Sequence, residues 1–299
     1  MAWVRSALAA YRLAAIGLSA GIVAIGSALP ALAAEALHSQ WFEAKGGKVR
    51  MIAGRGEGGT VLAGLEVVLE PGWKTYWRSP GDSGVPPEIG WGGSGNVSAA
   101  SVLFPAPQRF ADPAGAIIGY SSRVVLPIVV TPADPARAVD LKIEFAVGVC
   151  RDICVPIMEE VNLSVPVDAA AAPAAVTDAL AAVPRRLATG VAAGSSAAGT
   201  GEAELPRLVT QEIALQGRAP RLVFDVDFGD AATDGDAFAE GPLGSYLPLP
   251  KRTGEPAGGI VRFLVDLSEI DDPADLEGKA IVLTMVSEKG ATETEIVVP

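Results

Sequence analysis

The chain has one histidine, His38, and two cysteines, Cys150 and Cys154. A single histidine all but rules out a histidine-based catalytic triad. Two thiols and one distant imidazole fall short of the four ligands of a closed zinc site. No glycine loop has the form that cradles phosphate. Basic residues are scarce, with 23 Lys and Arg against 35 Asp and Glu. That balance argues against nucleic acid and anionic lipid as partners, and solubility is its simplest use. Beyond the first thirty residues no apolar run approaches the length of a membrane span.

The N-terminus is different. Arg5 and Arg12 give a positive start without an acidic residue, Leu13 to Leu29 is an uncharged run of apolar and small residues, and Ala31-Leu32-Ala33 has the A-x-A form of a cleavage site. Residues 1–33 are expected to be a secretory signal cut after Ala33. The rival is an uncleaved anchor, since the run is near the lower limit for a span; Pro30 and the A-x-A favour cleavage. Export would place the rest in an oxidising compartment, where a disulfide can persist. Removal of the segment leaves 21 basic and 35 acidic residues, a net charge of −14.

The remaining chain of about 265 residues suffices for two ordinary domains. Short apolar–polar alternating runs recur between Gly and Pro turns, the pattern of all-β sandwiches. The first domain is expected over 35–167. Lys48–Ala53, Thr60–Glu70, Val124–Val130, Asp140–Val147 and Glu159–Val167 are its strand candidates, with Pro127 marking an edge or a bulge. Residues 168–204 read as a linker. Its Ala174–Val183 stretch has the composition of about three helical turns stopped by Pro184, and 188–201 is Gly/Ser/Ala-rich and flexible. The second domain, 205–299, has five strand candidates, Arg207–Leu215, Pro220–Phe228, Gly259–Leu267, Lys279–Val286 and Glu293–Val298, and reads as a second sandwich. Asp225, Asp227, Asp230, Asp234 and Asp236 lack EF-hand spacing, so strand-face and loop solvation is preferred over a calcium site.

Aromatic residues make up only 6% of the chain, yet Trp73, Tyr76, Trp77 and Trp91 fall in one Pro/Gly-rich stretch. Alternation sets Trp73 and Trp77 on one face and Tyr76 and Arg78 on the other. Some of these rings are core; the remainder would wall a groove. Ala111–Gly119, entered through Phe110, reads as a loop that exposes apolar residues.

Cys150 and Cys154 stand at i and i+4. In an extended strand they would lie roughly 13 Å apart, too far for a disulfide. A bridge therefore requires a turn through Arg151-Asp152-Ile153, and Pro156 bars a helix from continuing. A loop this short gains only about 2 kcal/mol from closure, against nearly 5 for a loop of roughly 100 residues. A short bridge at a surface turn is a better candidate for reduction than a cross-sheet one, with a structural clip as the alternative. Arg151 would favour a thiolate and Asp152 would oppose it.

Three motifs in order, GWKTYWRSPGDSGVPP, FPAPQRF…IGYSSRVVLP and VGVCRDICVP, resemble the N-terminal periplasmic domain of the DsbD/ScsB family of disulfide reductases, closely over 40–167. The resemblance implies two immunoglobulin-like sandwiches joined by the Ala-rich, partly helical linker. It makes Cys150 and Cys154 the redox pair of a thiol–disulfide interchange protein, working without a cofactor or a metal. Tyr76 and Trp77 fall where aromatics flank that pair, and Phe110–Gly119 falls where a cap shields it, with Phe110 as the shielding ring. The C-x3-C spacing matches the ScsB-like branch and departs from the longer C-x5-C of DsbD. Family members continue into a membrane domain and a thioredoxin-like domain; the sequence here ends before either, so a separately encoded membrane donor and periplasmic acceptor proteins are the expected partners. The competing expectations are a non-redox scaffold with a structural disulfide and, from that branch's link to copper tolerance, capture of Cu(I) by two soft thiolates.

Overall fold

A computed structural model describes residues 37–112, 115–187, 205–242 and 245–299. The expected signal, 1–33, and the expected flexible run, 188–201, lie outside the described residues.

The regular structure of the described chain is mostly β, as expected, with one α-helix. In the N-terminal half the strands are β1 (Leu37–His38), β2 (Phe42–Ala44), β3 (Gly47–Arg55), β4 (Val61–Leu69), β5 (Lys74–Gly81), β6 (Glu88–Gly90), β7 (Val97–Val102), β8 (Gln108–Asp112), β9 (Gly115–Ser121), β10 (Arg123–Pro132), β11 (Val139–Cys150) and β12 (Cys154–Val165). They form two six-stranded sheets. One runs β1-β3-β4-β10-β7 with β2 on β3, and the other runs β12-β11-β5-β9-β8 with β6 on β11. Both sheets turn alternate residues inward, because a strand presents successive side chains to opposite faces. Val49, Met51, Leu65 and Val67 from the first sheet meet Trp77, Ile143, Phe145 and Val147 from the second in one buried cluster.

Pro127 occupies an inner strand, opposite Gly64 of β4, without a bulge. Its backbone carbonyl accepts from Leu103 on the β7 side, where β7 has ended at Val102. The missing N–H faces that same side, so β10 is locally an edge there and the ladder loses nothing.

The expected linker is partly docked. The helix α1 (Ala174–Ala181) spans eight residues, shorter than expected. It seats a fully buried Val176 on Ile52 and Val125, on the outer face of the first sheet. The chain then forms β13 (Arg185–Arg186), parallel to the last strand.

The C-terminal strands are β14 (Arg207–Ala214), β15 (Arg221–Asp227), β16 (Asp236–Glu240), β17 (Lys251–Ala257), β18 (Ile260–Asp266), β19 (Ala280–Ser287) and β20 (Gly290–Val297). Two of them, β16 and β17, were not among the five expected; each carries too little apolar alternation to stand out. The four-stranded sheets β13-β20-β19-β16 and β14-β15-β18-β17 enclose a second core around Phe224, Phe263, Leu283 and Met285. Asp225, from the acidic set, accepts both guanidinium contacts of Arg262 at 2.7 and 2.9 Å. This pairing holds its carboxyl below the ordinary range. Phe238 and Leu249 join the core of the first sandwich.

Candidate functional site

Strands β11 and β12 form one long antiparallel hairpin, paired without interruption from Val139↔Val165 to Cys150↔Cys154. The expected turn lies between the cysteines, closed by the Arg151 amide donating to the Ile153 carbonyl at 3.0 Å. The last rung of the ladder brings the two Cα atoms to 4.1 Å, and the sulfurs are joined as a disulfide. The expected closing strand therefore starts earlier, at Cys154 itself.

The two sulfur-bearing residues differ in environment. Cys150 is 3% exposed, whereas Cys154 is exposed. Cys150 belongs to a small cluster with Tyr76 and Ile117, against which Phe110 packs half-buried. This cluster lies apart from the main core of the sandwich.

Tyr76 is brought there by β5, which pairs with the cysteine end of β11 through Val149↔Thr75 and Cys150↔Lys74. The Thr75 hydroxyl donates to the Gly148 carbonyl at 2.9 Å and pins this register. The Tyr76 hydroxyl reaches Cys154 Sγ at 3.3 Å. Burial pushes the Tyr76 phenol above its ordinary value, with Asp112 acting in the same direction, so it stays protonated and able to donate to a thiolate. Glycines make room for the ring on both sides. A Cβ at Gly84 would lie 2.7 Å from Tyr76 Cδ1, and one at Gly148 would lie 3.3 Å from Tyr76 Cε2. Those two glycines are the sequence signal of a ring packed against backbone, and the motif reading passed over them.

Phe110, the expected shielding ring, packs against the Cys150 cluster, but the segment that carries it differs from the expected loop. Ala111–Gly119 was expected to be a loop; Gln108–Asp112 and Gly115–Ser121 instead pair as the hairpin β8–β9, with Phe110↔Ile117 in register. The hairpin is held because β9 pairs along β5 at Lys74, Thr75 and Tyr76. Lys74 Nζ lies 5.3 Å from the Phe110 ring centre.

Trp77 is not in the wall of the site. It is fully buried on the opposite face of β5 from Tyr76, in the main core, with its ring 5.7 Å from that of Phe238. The period-two alternation that put it opposite Tyr76 decides its place. Arg151 lies at the turn, paired to its neighbour Asp152 at 2.9 Å and over the Trp73 ring at 5.3 Å. The opposed charges at the turn thus pair with each other, and the polar group in hydrogen-bond range of Cys154 Sγ is the Tyr76 hydroxyl. Among the described residues no cluster of three or more His, Cys, Asp or Glu is placed to hold a metal ion, and no helix is long and apolar enough to cross a membrane.

Comparison with known proteins points the same way. Residues 47–166 match the family model described as thiol:disulfide interchange protein DsbD, N-terminal. Among solved structures, the crystal structure of the N-terminal periplasmic domain of ScsB from Proteus mirabilis matches with a TM-score of 0.64 at 24% identity. The alignment covers 88% of this chain and 99% of that one. No curated protein matches the chain. The structural likeness extends beyond the family match and so includes the second sandwich; at this identity it speaks for the fold alone.

Proposed function

We propose, for a chain whose residues 47–166 belong to the DsbD N-terminal family of thiol:disulfide interchange proteins, that Cys150 and Cys154 pass electron pairs from a donor dithiol to acceptor disulfides in the periplasm. The observation that carries the reading is the asymmetry of the pair: a buried Cys150 bonded to an exposed Cys154 that has a hydroxyl 3.3 Å from its sulfur.

The asymmetry supports one division of roles. A donor thiolate attacks Cys154 Sγ, the sulfur within reach. A bond forms between the donor and Cys154, the Cys150–Cys154 bond breaks, and its electron pair leaves on Cys150, which takes up a proton. The donor's second thiolate then displaces Cys154, so the donor ends as a disulfide and the pair as a dithiol. In the forward transfer Cys154 attacks the acceptor's disulfide, and Cys150 resolves the mixed disulfide. Tyr76 donates to the Cys154 thiolate and keeps it available. Phe110, Ile117 and the Tyr76 ring shield Cys150 from water and from small oxidants. A membrane protein is the donor this reading requires, and thioredoxin-like or disulfide-bearing periplasmic proteins are the acceptors.

The test is the reduction potential of the Cys150–Cys154 pair, measured by equilibration in glutathione or dithiothreitol buffers with trapping of free thiols. A value well above roughly −300 mV supports electron transfer. A lower value, with no transfer to any thioredoxin-like acceptor, makes the bridge a structural clip.

A further inference from the structure

Three residues tie the strands around the sulfur pair to the second sandwich. On β5, Arg78 follows Tyr76 by two positions. Its guanidinium meets Glu240 of β16 at 2.9 and 2.7 Å and also contacts Glu293 of β20. On β8, Arg109 immediately precedes Phe110. It grips Asp236 of β16 through two parallel contacts of 2.9 Å and donates to the Ala237 carbonyl at 3.1 Å. Between β5 and β9, Asp82 accepts from the Ala116 amide at 2.8 Å and from the Tyr246 hydroxyl at 3.1 Å.

We infer that the second sandwich sets the reactivity of the Cys150–Cys154 pair, with Arg109 and Asp236 as positioning residues that hold Phe110 over Cys150. The inference rests on the redox reading above and gives the second sandwich a part in it.

The physical argument turns on which contacts are rigid. Strand β8 is the outermost strand of its sheet, so on its outer side no neighbouring strand fixes its distance from β5. Its half-buried Phe110 gains only part of a ring's burial. A planar, two-point guanidinium–carboxylate contact fixes direction as well as distance, and it acts one residue from that ring. Arg109 also lies over the Phe238 ring at 5.4 Å, and Phe238 in turn packs on Trp77. The same β16 segment therefore holds β8 from outside and β5 from within. Arg78 strengthens the second hold: its two carboxylates raise its pKa further above the ordinary arginine value, outweighing the opposing effect of burial. Glu240 and Glu293 lie mostly out of water, at 17% and 8% side-chain exposure, so screening by salt is limited.

The experiment compares wild type with Asp236→Asn and Asp236→Glu in the full chain. The rate of disulfide reduction by dithiothreitol is followed well below the melting temperature, with thermal unfolding measured in parallel. Asp236→Asn keeps the side chain's size and loses the charge that holds Arg109. Reduction should accelerate by roughly 3- to 10-fold at a nearly unchanged melting temperature, and Asp236→Glu should recover most of the wild-type rate. A purely architectural contact would move the melting temperature and leave the rate alone. Rates within twofold of wild type for Asp236→Asn, and likewise for Arg109→Lys as the second variant, overturn the inference. Dithiothreitol reads the chemical access of the bridge without any protein partner. A pair that failed to transfer electrons to acceptors would thus sink the redox reading while leaving this comparison of rates to be decided separately.

Discussion

Two hairpins in this molecule make the same shape by different means. In the second sandwich β19 and β20, eight residues each, pair from Ala280↔Val297 to Ser287↔Gly290. A short turn joins them, with the Ser287 hydroxyl accepting from the Lys289 amide at 3.2 Å. In the first sandwich β11 and β12, twelve residues each, end on a disulfide instead. The longer ladder is the one with the bridge. Its inward face, Leu141, Ile143, Phe145, Val147 and Val149, is buried along its whole length. A hairpin with that much core and ladder does not need a clip at its turn; the shorter one manages without. The disulfide is thus an addition to a hairpin with a complete ladder, and the proposed chemistry requires that the pair open without the strands parting.

The largest expected effect tests that separation directly. Cys154→Ser should abolish transfer from any donor to any acceptor, because no exposed thiol remains. Cys150→Ser should leave an exposed Cys154 that traps acceptors as unresolved mixed disulfides, visible on non-reducing gels. Both variants should fold. If Cys154→Ser instead yields an unfolded chain, the comparison of the hairpins breaks and the bridge is structural.

Next comes the stability of the bridge itself. Reduction, or the double change Cys150→Ala and Cys154→Ala, should lower the unfolding free energy by about 2 kcal/mol, the amount expected from closing so short a loop. Denaturant titration of oxidised and reduced protein measures it. A loss twice as large would mean that the first hairpin leans on its disulfide after all.

A smaller effect belongs to Tyr76. In the proposed role its hydroxyl, near Cys154 Sγ, donates to the thiolate, so Tyr76→Phe should raise the Cys154 pKa in the reduced protein. Attack on acceptors near pH 7 should then slow by roughly tenfold, equivalent to about 1.4 kcal/mol, in the range of a hydrogen bond to a charged group. The sign fixes the pH dependence: the deficit is largest below both thiol pKa values and closes above them. A deficit that persists at high pH would assign Tyr76 to packing alone.

How much of this was legible in the sequence depended on whether the signal was local. The turn between the cysteines followed from their spacing and from Pro156. The opposed faces of β5 followed from alternation, which placed Trp77 away from Tyr76 even though the motif suggested both as wall. The hairpin β8–β9 was missed because two prolines precede it, and it is β5, distant in sequence, that makes Gly115–Ser121 a strand. Strands β16 and β17 were missed for a similar reason. Asp236-Ala-Phe-Ala-Glu is short, and it pays for its charged ends through Arg109 and Arg78, residues more than a hundred positions away. Val176 made the supposed linker part of the first sandwich, because one buried side chain on an alanine helix is enough to dock it where Ile52 and Val125 leave an apolar patch. Pairings across that sequence distance leave no periodic trace in either segment.

The smallest expected difference is at the turns, and it sharpens the comparison best. Gly290 has φ +135, a conformation that side-chain-bearing residues rarely adopt. A Cβ there would also approach Leu205 Cδ2 at 2.8 Å, the end of a flexible side chain that can move. Gly290→Ala should therefore cost about 1 kcal/mol, nearly all of it backbone strain. In the cysteine turn no residue from Arg151 to Ile153 has positive φ. The turn itself holds no strained position whose loss would matter. Asp152, 82% exposed at its side chain, contributes only a surface ion pair, so Asp152→Ala should change stability by less than about 0.5 kcal/mol. If Asp152→Ala proved the costlier of the two, the bridged hairpin would depend on its turn as the unbridged one does. The disulfide would then belong to the architecture of the first sandwich rather than to its chemistry.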